Sequence, residues 1–259
     1  MSTGNVTTRV LGIAALAFCA AVAVLGLFVT PPDVVQGELV RLIYIHPAVS
    51  TIAFVAFGVT ALASVLYLIP RTRARRWDLL AGASGEIGVV FCALSLATGS
   101  IWGRPAWGVW WTWDARLTLT ALLCAMGLGY LAVRRVDLPV ERRSTLSAVV
   151  ALGILFVVVI DHYATEWWRT LHQGDTLARF KPLIHGQQLM TMLLSFVAFA
   201  LIYGWLVVHR FRLEQLEERV ETEGLDQALA ARRAEATEAE GVPASVSAGA
   251  TMPMEAPRA

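Results

Sequence analysis

The sequence predicts an all-α fold, an integral membrane bundle of six transmembrane helices with an outward tryptophan-rich loop. Three observations predict it. Hydrophobic residues make up 56% of the chain and charged residues only 16%, with a mean hydropathy of +0.60, a balance that argues against a soluble globular domain. Apolar runs long enough to cross a ~30 Å hydrocarbon core at ~1.5 Å per residue occur at 10–29, 48–69, 84–101, 116–133, 144–162 and 188–208. Arginine and lysine are distributed unevenly between the two sets of connections, as the positive-inside rule requires.

The first run, 10–29, follows a short basic start and is read as a retained span. It is followed by Pro31 and Pro32, with no clear small-x-small cleavage site. The second, 48–69, begins just after Pro47. The third, 84–101, carries Glu86 among Gly82, Gly85 and Gly88, where small residues let helices approach closely. The spans 116–133, 144–162 and 188–208 complete a domain over 1–209. Residues 210–259 form a second region, a charged and partly disordered cytoplasmic tail. Its first part has a helical pattern of Leu213, Leu216 and Val220, and its last nineteen residues are rich in Ala, Pro and small polar types. A solvated tail fits this charge pattern better than a docking helix.

On one side of the spans lie eleven cationic residues: Arg9, four arginines in 71–76, four in 134–143, Arg210 and Arg212. The other side has six: Arg41, Arg104, Arg116, Arg169, Arg179 and Lys181. Both termini are therefore expected in the cytoplasm, with 30–47, 102–115 and 163–187 facing outward. Cys19, Cys92 and Cys124 lie in the predicted spans without a CxxC or CxxCH pattern, so they read as small packing residues.

Five of the nine tryptophans fall within twelve residues, at Trp102, Trp107, Trp110, Trp111 and Trp113, followed by Asp114 and Arg116. Such a density exceeds what an interfacial aromatic belt needs and suits a large flat ligand with acidic edges. Helical spacing would put Trp107, Trp110, Trp111 and Asp114 on one face, and a helical 168–172 would set Trp168 against His172. His46 and His172 lie on different outward segments, with the tryptophans on the segment between them. That arrangement meets the needs of a bis-histidine haem site, one neutral imidazole on each side of the iron. Arg41, Arg104, Arg116 and Arg169 are located where they can reach propionates. His162 and His185 are either supporting or plain interfacial residues, and His209 is an ordinary cytoplasmic-end residue. Asp161 and Glu86 sit at the margins of spans, where each needs a partner or water.

The segment WGRPAWGVWWTWDARLT closely resembles the tryptophan-rich signature of the haem-handling proteins of cytochrome c biogenesis. Its form is most similar to the family of cytochrome c maturation protein C, the haem exporter protein C family. RLIYIHPAV resembles the family's first histidine motif and EWWRTLHQG its second, and the likeness covers about residues 5–210. In one departure, His46 directly precedes Pro47, where the family usually has a residue between them.

The resemblance implies a haem-binding protein that is not an enzyme. It would hold haem b as cargo at the outer face of the bacterial inner membrane and deliver it to a periplasmic haem chaperone. By motif position, His46 and His172 are the axial iron ligands. Trp102, Trp107, Trp110, Trp111, Trp113 and Asp114 form the platform, with Arg41 and Arg116 as basic partners. The implied protein partners are the chaperone, cytochrome c maturation protein E, a small membrane subunit, protein D, and the ABC transporter subunits, proteins A and B. Nucleic acid is not among them. The chain itself has no GxxxxGK[ST] P-loop. The alternatives are a haem permease and a membrane b-type cytochrome subunit.

Overall fold

A computed structural model of the chain describes residues 4–172 and 184–240. Asn5 begins the first helix with a capping box, accepting the Thr8 N–H while the Thr8 hydroxyl accepts the Asn5 N–H. This helix, α1 (Val6–Val24), runs into a π-helical stretch, Leu25–Val29, and a short 3-10 helix follows at Glu38–Tyr44. Then come α2 (His46–Leu68), α3 (Arg75–Trp107), α4 (Ala115–Val133), α5 (Val140–Trp167) and α6 (Gly186–Glu240). Among the described residues, six helices are long and apolar enough to cross a membrane, in the predicted order.

The helices extend past the apolar runs because their ends are polar yet partnered. The third run was expected at 84–101, whereas α3 begins at Arg75 and buries Asp78 in its first turn. Asp78 pairs with Arg75 and with Arg134 from the end of α4, at 2.8 Å for the latter. Arg134 also lies 3.8 Å from Glu214, and Glu86 pairs with Arg210 at 2.5 Å. Burying a charge is tolerable only with such partners.

The largest apolar core joins α2, α3, α4 and α5 through Ile52, Phe57, Phe91, Leu123 and Ile154. A second cluster joins the end of α1 and the 3-10 helix to the first half of α6 through Val22, Ile43, Tyr44 and Met192. The glycines of α3 are packing positions. A Cβ on Gly85 would stand 2.6 Å from the Tyr130 ring, and one on Gly88 would stand 3.0 Å from Phe57.

The chain divides into a compact unit ending at Glu214 and a second unit starting at Gln215. Taken alone, the second unit is helical to Glu240, with Val220, Leu225 and Leu229 exposed. The expected disorder of the last nineteen residues, and Arg179 and Lys181 of the third outward segment, lie outside the described residues.

Candidate functional site

His46 is the first residue of α2, and Pro47 follows it in the first turn, where the missing N–H costs nothing and the fixed φ suits a helix start. Adjacency to the proline thus places the imidazole at the mouth end of α2. The ring lies on α3: Nδ1 is 3.0 Å from Thr98 Oγ1, and a Cβ on Gly99 would stand 3.0 Å from Cε1. Ser50 donates to the His46 carbonyl at 2.8 Å and meets Ser95 of α3 at 2.6 Å. Trp102, one turn beyond Thr98 on α3, presents its ring to His46 edge-on, with centroids 5.9 Å apart.

The tryptophan segment is not one helix. α3 ends at Trp107 because Gly108 takes the left-handed conformation, φ 81°, and the chain stays non-helical until Asp114 caps α4 by accepting the Leu117 N–H at 2.9 Å. The single face expected for Trp107, Trp110, Trp111 and Asp114 is therefore not formed. Trp102, Trp107 and Trp111 line a cavity, whereas Trp110 and Trp113 are 60% and 79% exposed and do not. Trp111 meets the Trp113 ring edge-on with centroids 5.5 Å apart.

The segment after α5 also departs from the expected helix. Trp168 has extended backbone, φ −127° and ψ 158°, so it is not one helical turn from His172. The indole against His172 is that of Trp107, at 4.9 Å between ring centroids. Asp114 holds this junction, since its Oδ2 accepts the Leu171 N–H at 3.1 Å and stands 3.9 Å from His172 Nδ1. Burial, and then the Arg116 charge, push the His172 imidazole down to about 4, with Asp114 acting in the opposite direction. It is neutral at pH 7.

Both imidazoles line a single cavity of about 510 Å³, together with the three inner tryptophans and Arg116. A neighbouring cavity of about 130 Å³ shares His46, Trp102, Trp107 and His172, and adds Gln36 and Leu171. Gln36 reaches it from a turn pinned by Asp33, whose side chain accepts the Val35 and Gln36 N–H groups at 2.8 Å each. Its amide oxygen accepts the Trp102 Nε1–H at 3.1 Å.

The arginines separate by location. Arg116 lines the cavity and donates to the Asp161 and His162 carbonyls at 3.1 and 3.2 Å. The fully buried Asp161 carboxylate faces it at 3.8 Å and accepts from the Thr120 hydroxyl through Oδ2 at 3.0 Å, while its Oδ1 has no hydrogen-bond partner among the described residues. Arg41 instead pairs with Glu38 and the Gly26 carbonyl, joining the 3-10 helix to the π-helical stretch, and does not line the cavity. Arg104 donates to the Gly108 carbonyl at 2.6 Å, and Arg169 is exposed. His162 lines the cavity from the end of α5, whereas His185 is exposed and does not. His209 meets Trp205 edge-on, with centroids 4.9 Å apart.

Two buried polar atoms in the cavity wall, Trp111 Nε1 and His172 Nδ1, have no hydrogen-bond partner among the described residues. The volume and the aromatic lining suit a large planar ligand.

The model of the family described as heme exporter protein C matches residues 1–226. The chain belongs to the haem exporter protein C family. Among its relatives, the heme exporter protein C of Haemophilus influenzae is 35% identical over 194 residues, covering 74% of this chain and 78% of that one. The protein of the same name from Bradyrhizobium diazoefficiens is 36% identical over 192 residues, 73% and 72% of the two chains. A cytochrome c biosynthesis ccmC-like mitochondrial protein of Marchantia polymorpha is 32% identical over 188 residues, 72% and 79%. This member of the family is a multi-pass membrane protein, with six helices among the described residues long and apolar enough to span.

Thr98, Gly99 and Gln36 were not foreseen in the sequence. Thr98 and Gly99 did leave a signal, because with Ser95 they form a small-residue stripe at helical spacing on α3 that leads up to Trp102.

Proposed function

We propose that this chain holds haem b as cargo at the outer face of a bacterial inner membrane and delivers it to a periplasmic haem chaperone during cytochrome c biogenesis, without turnover of its own. His46 and His172 are the axial ligands, Trp102, Trp107 and Trp111 the inner platform, and Arg116 the propionate partner. Trp110 and Trp113 form the exposed rim. Both termini lie in the cytoplasm. The chaperone, protein E, the small membrane subunit, protein D, and the ABC transporter subunits, proteins A and B, are its assembly partners.

One observation carries this reading. The two histidines, 126 positions apart in sequence, border the same aromatic cavity. The names of the relatives point to the same cargo and process. The test is to purify the protein and record its Soret band. The expected result is a bis-histidine spectrum that is strongly weakened in His46→Ala and in His172→Ala. An unchanged band in both variants would overturn it.

A further inference from the structure

We infer that Thr98 is a positioning residue for His46: its hydroxyl holds the imidazole as the Nδ1–H tautomer and leaves the Nε2 lone pair for iron. The inference rests on the proposed haem site and concerns a residue outside the histidine and tryptophan motifs.

The hydroxyl of Thr98 has one proton to give. Its oxygen lies 2.8 Å from the Leu94 carbonyl, four residues back in its own helix, which can only accept. With that proton committed, the lone pairs of Oγ1 face His46 Nδ1 at 3.0 Å, so Nδ1 is the donor. A neutral imidazole carries one N–H, and the other nitrogen is then a bare donor to metal. The reverse arrangement would leave the proton on Nε2 and close that nitrogen to iron. A hydrogen bond from the distal ring nitrogen is also the usual device that fixes the orientation of a metal-binding histidine and raises its basicity.

Packing fixes the ring as well. Gly99 supplies the flat backbone surface beneath it, and the Ser50 bridge between the His46 carbonyl and Ser95 holds the first turn of α2 against α3. Thr98 is therefore the polar half of a seat whose apolar half is Gly99. The same stripe ends at Trp102, so one face of α3 positions both the ligand and one wall of the platform.

Thr98→Val keeps the shape and removes the acceptor, and Thr98→Ser restores it. The full-length protein loaded with haem is mixed with excess apomyoglobin, and haem loss is followed from the Soret shift. Thr98→Val should lose haem about tenfold faster or more, the range typical of groups that support metal ligands. Thr98→Ser should stay within about threefold of wild type. The ferric spectrum of Thr98→Val should also show a high-spin fraction that is absent from Thr98→Ser. Wild-type loss rate and spectrum in Thr98→Val overturn the inference, as does an equal defect in Thr98→Ser. Either result with His46→Ala still defective leaves the haem site standing. A wild-type rate in His46→Ala removes the site itself.

Discussion

Trp107 and His172 meet edge to face, with ring centroids 4.9 Å apart and planes at 68°, although 65 residues separate them. Trp107 is the last residue of α3, and His172 lies on the segment leaving α5, so the contact joins two of the three outward connections. Geometry of this kind contributes about 0.5–1.5 kcal/mol beyond area burial.

Trp107→Ala should therefore reduce haem retention more than Trp110→Ala or Trp113→Ala. It removes a cavity wall and the His172 contact together, whereas the other two indoles are exposed and off the cavity. The ratio of Soret to protein absorbance in each purified variant measures this. Equal losses in the three variants would contradict it.

Asp114→Asn separates two roles of one carboxylate. Asparagine caps a helix as well as aspartate does, so α4 should start normally, whereas its single side-chain oxygen cannot also accept the Leu171 N–H that Oδ2 holds. The negative charge 3.9 Å from His172 Nδ1 is lost as well. Haem dissociation should rise about tenfold, and the midpoint potential should move upward as the ligand becomes less basic.

The apo protein should lose stability as pH falls. The His172 imidazole titrates near 4 in the folded chain and near its ordinary 6.5 when unfolded. Between these values the unfolded state binds more protons, so stability falls as pH drops from 6.5 through 4 and levels off below. Melting temperature against pH in detergent should show this slope, and His172→Gln should flatten it. Haem binding by the folded protein should fail only near pH 4 and below, where its imidazole becomes protonated and cannot ligate iron.

Gly85→Ala tests the close approach of α3 and α4. Its Cβ would stand 2.6 Å from the Tyr130 ring, so one side chain or helix must shift. Overpacking of this kind costs about 1–3 kcal/mol. A lower detergent melting temperature is expected, with an unchanged Soret maximum in the folded fraction.

The number and order of the spans were legible because hydropathy over twenty residues averages out local detail. The site was legible in its residue types and less so in its local shape. Helical periodicity grouped Trp107 with Trp110, Trp111 and Asp114, but a glycine at φ 81° ended the helix after Trp107 and turned two indoles outward. The periodic rule cannot register a stop at one residue unless Gly108 is read as a cap. Likewise, Arg41 and Arg116 are alike in charge and outward location. Only the tertiary contacts show that Arg41 is spent on Glu38 and Gly26 while Arg116 faces the cavity. The pairing of Asp78 with Arg134, 56 positions away, is a long-range ion pair with no local signal.

α3 carries both the Asp78 ion cluster in its first turn and Trp102 near its last, about 36 Å apart at 1.5 Å per residue. The charged clasp therefore serves as a distant footing for the ligand seat. Leverage follows from the length: a tilt of the helix too small to break a single ion pair at the base is magnified into a displacement of the indole and the His46 cradle at the tip.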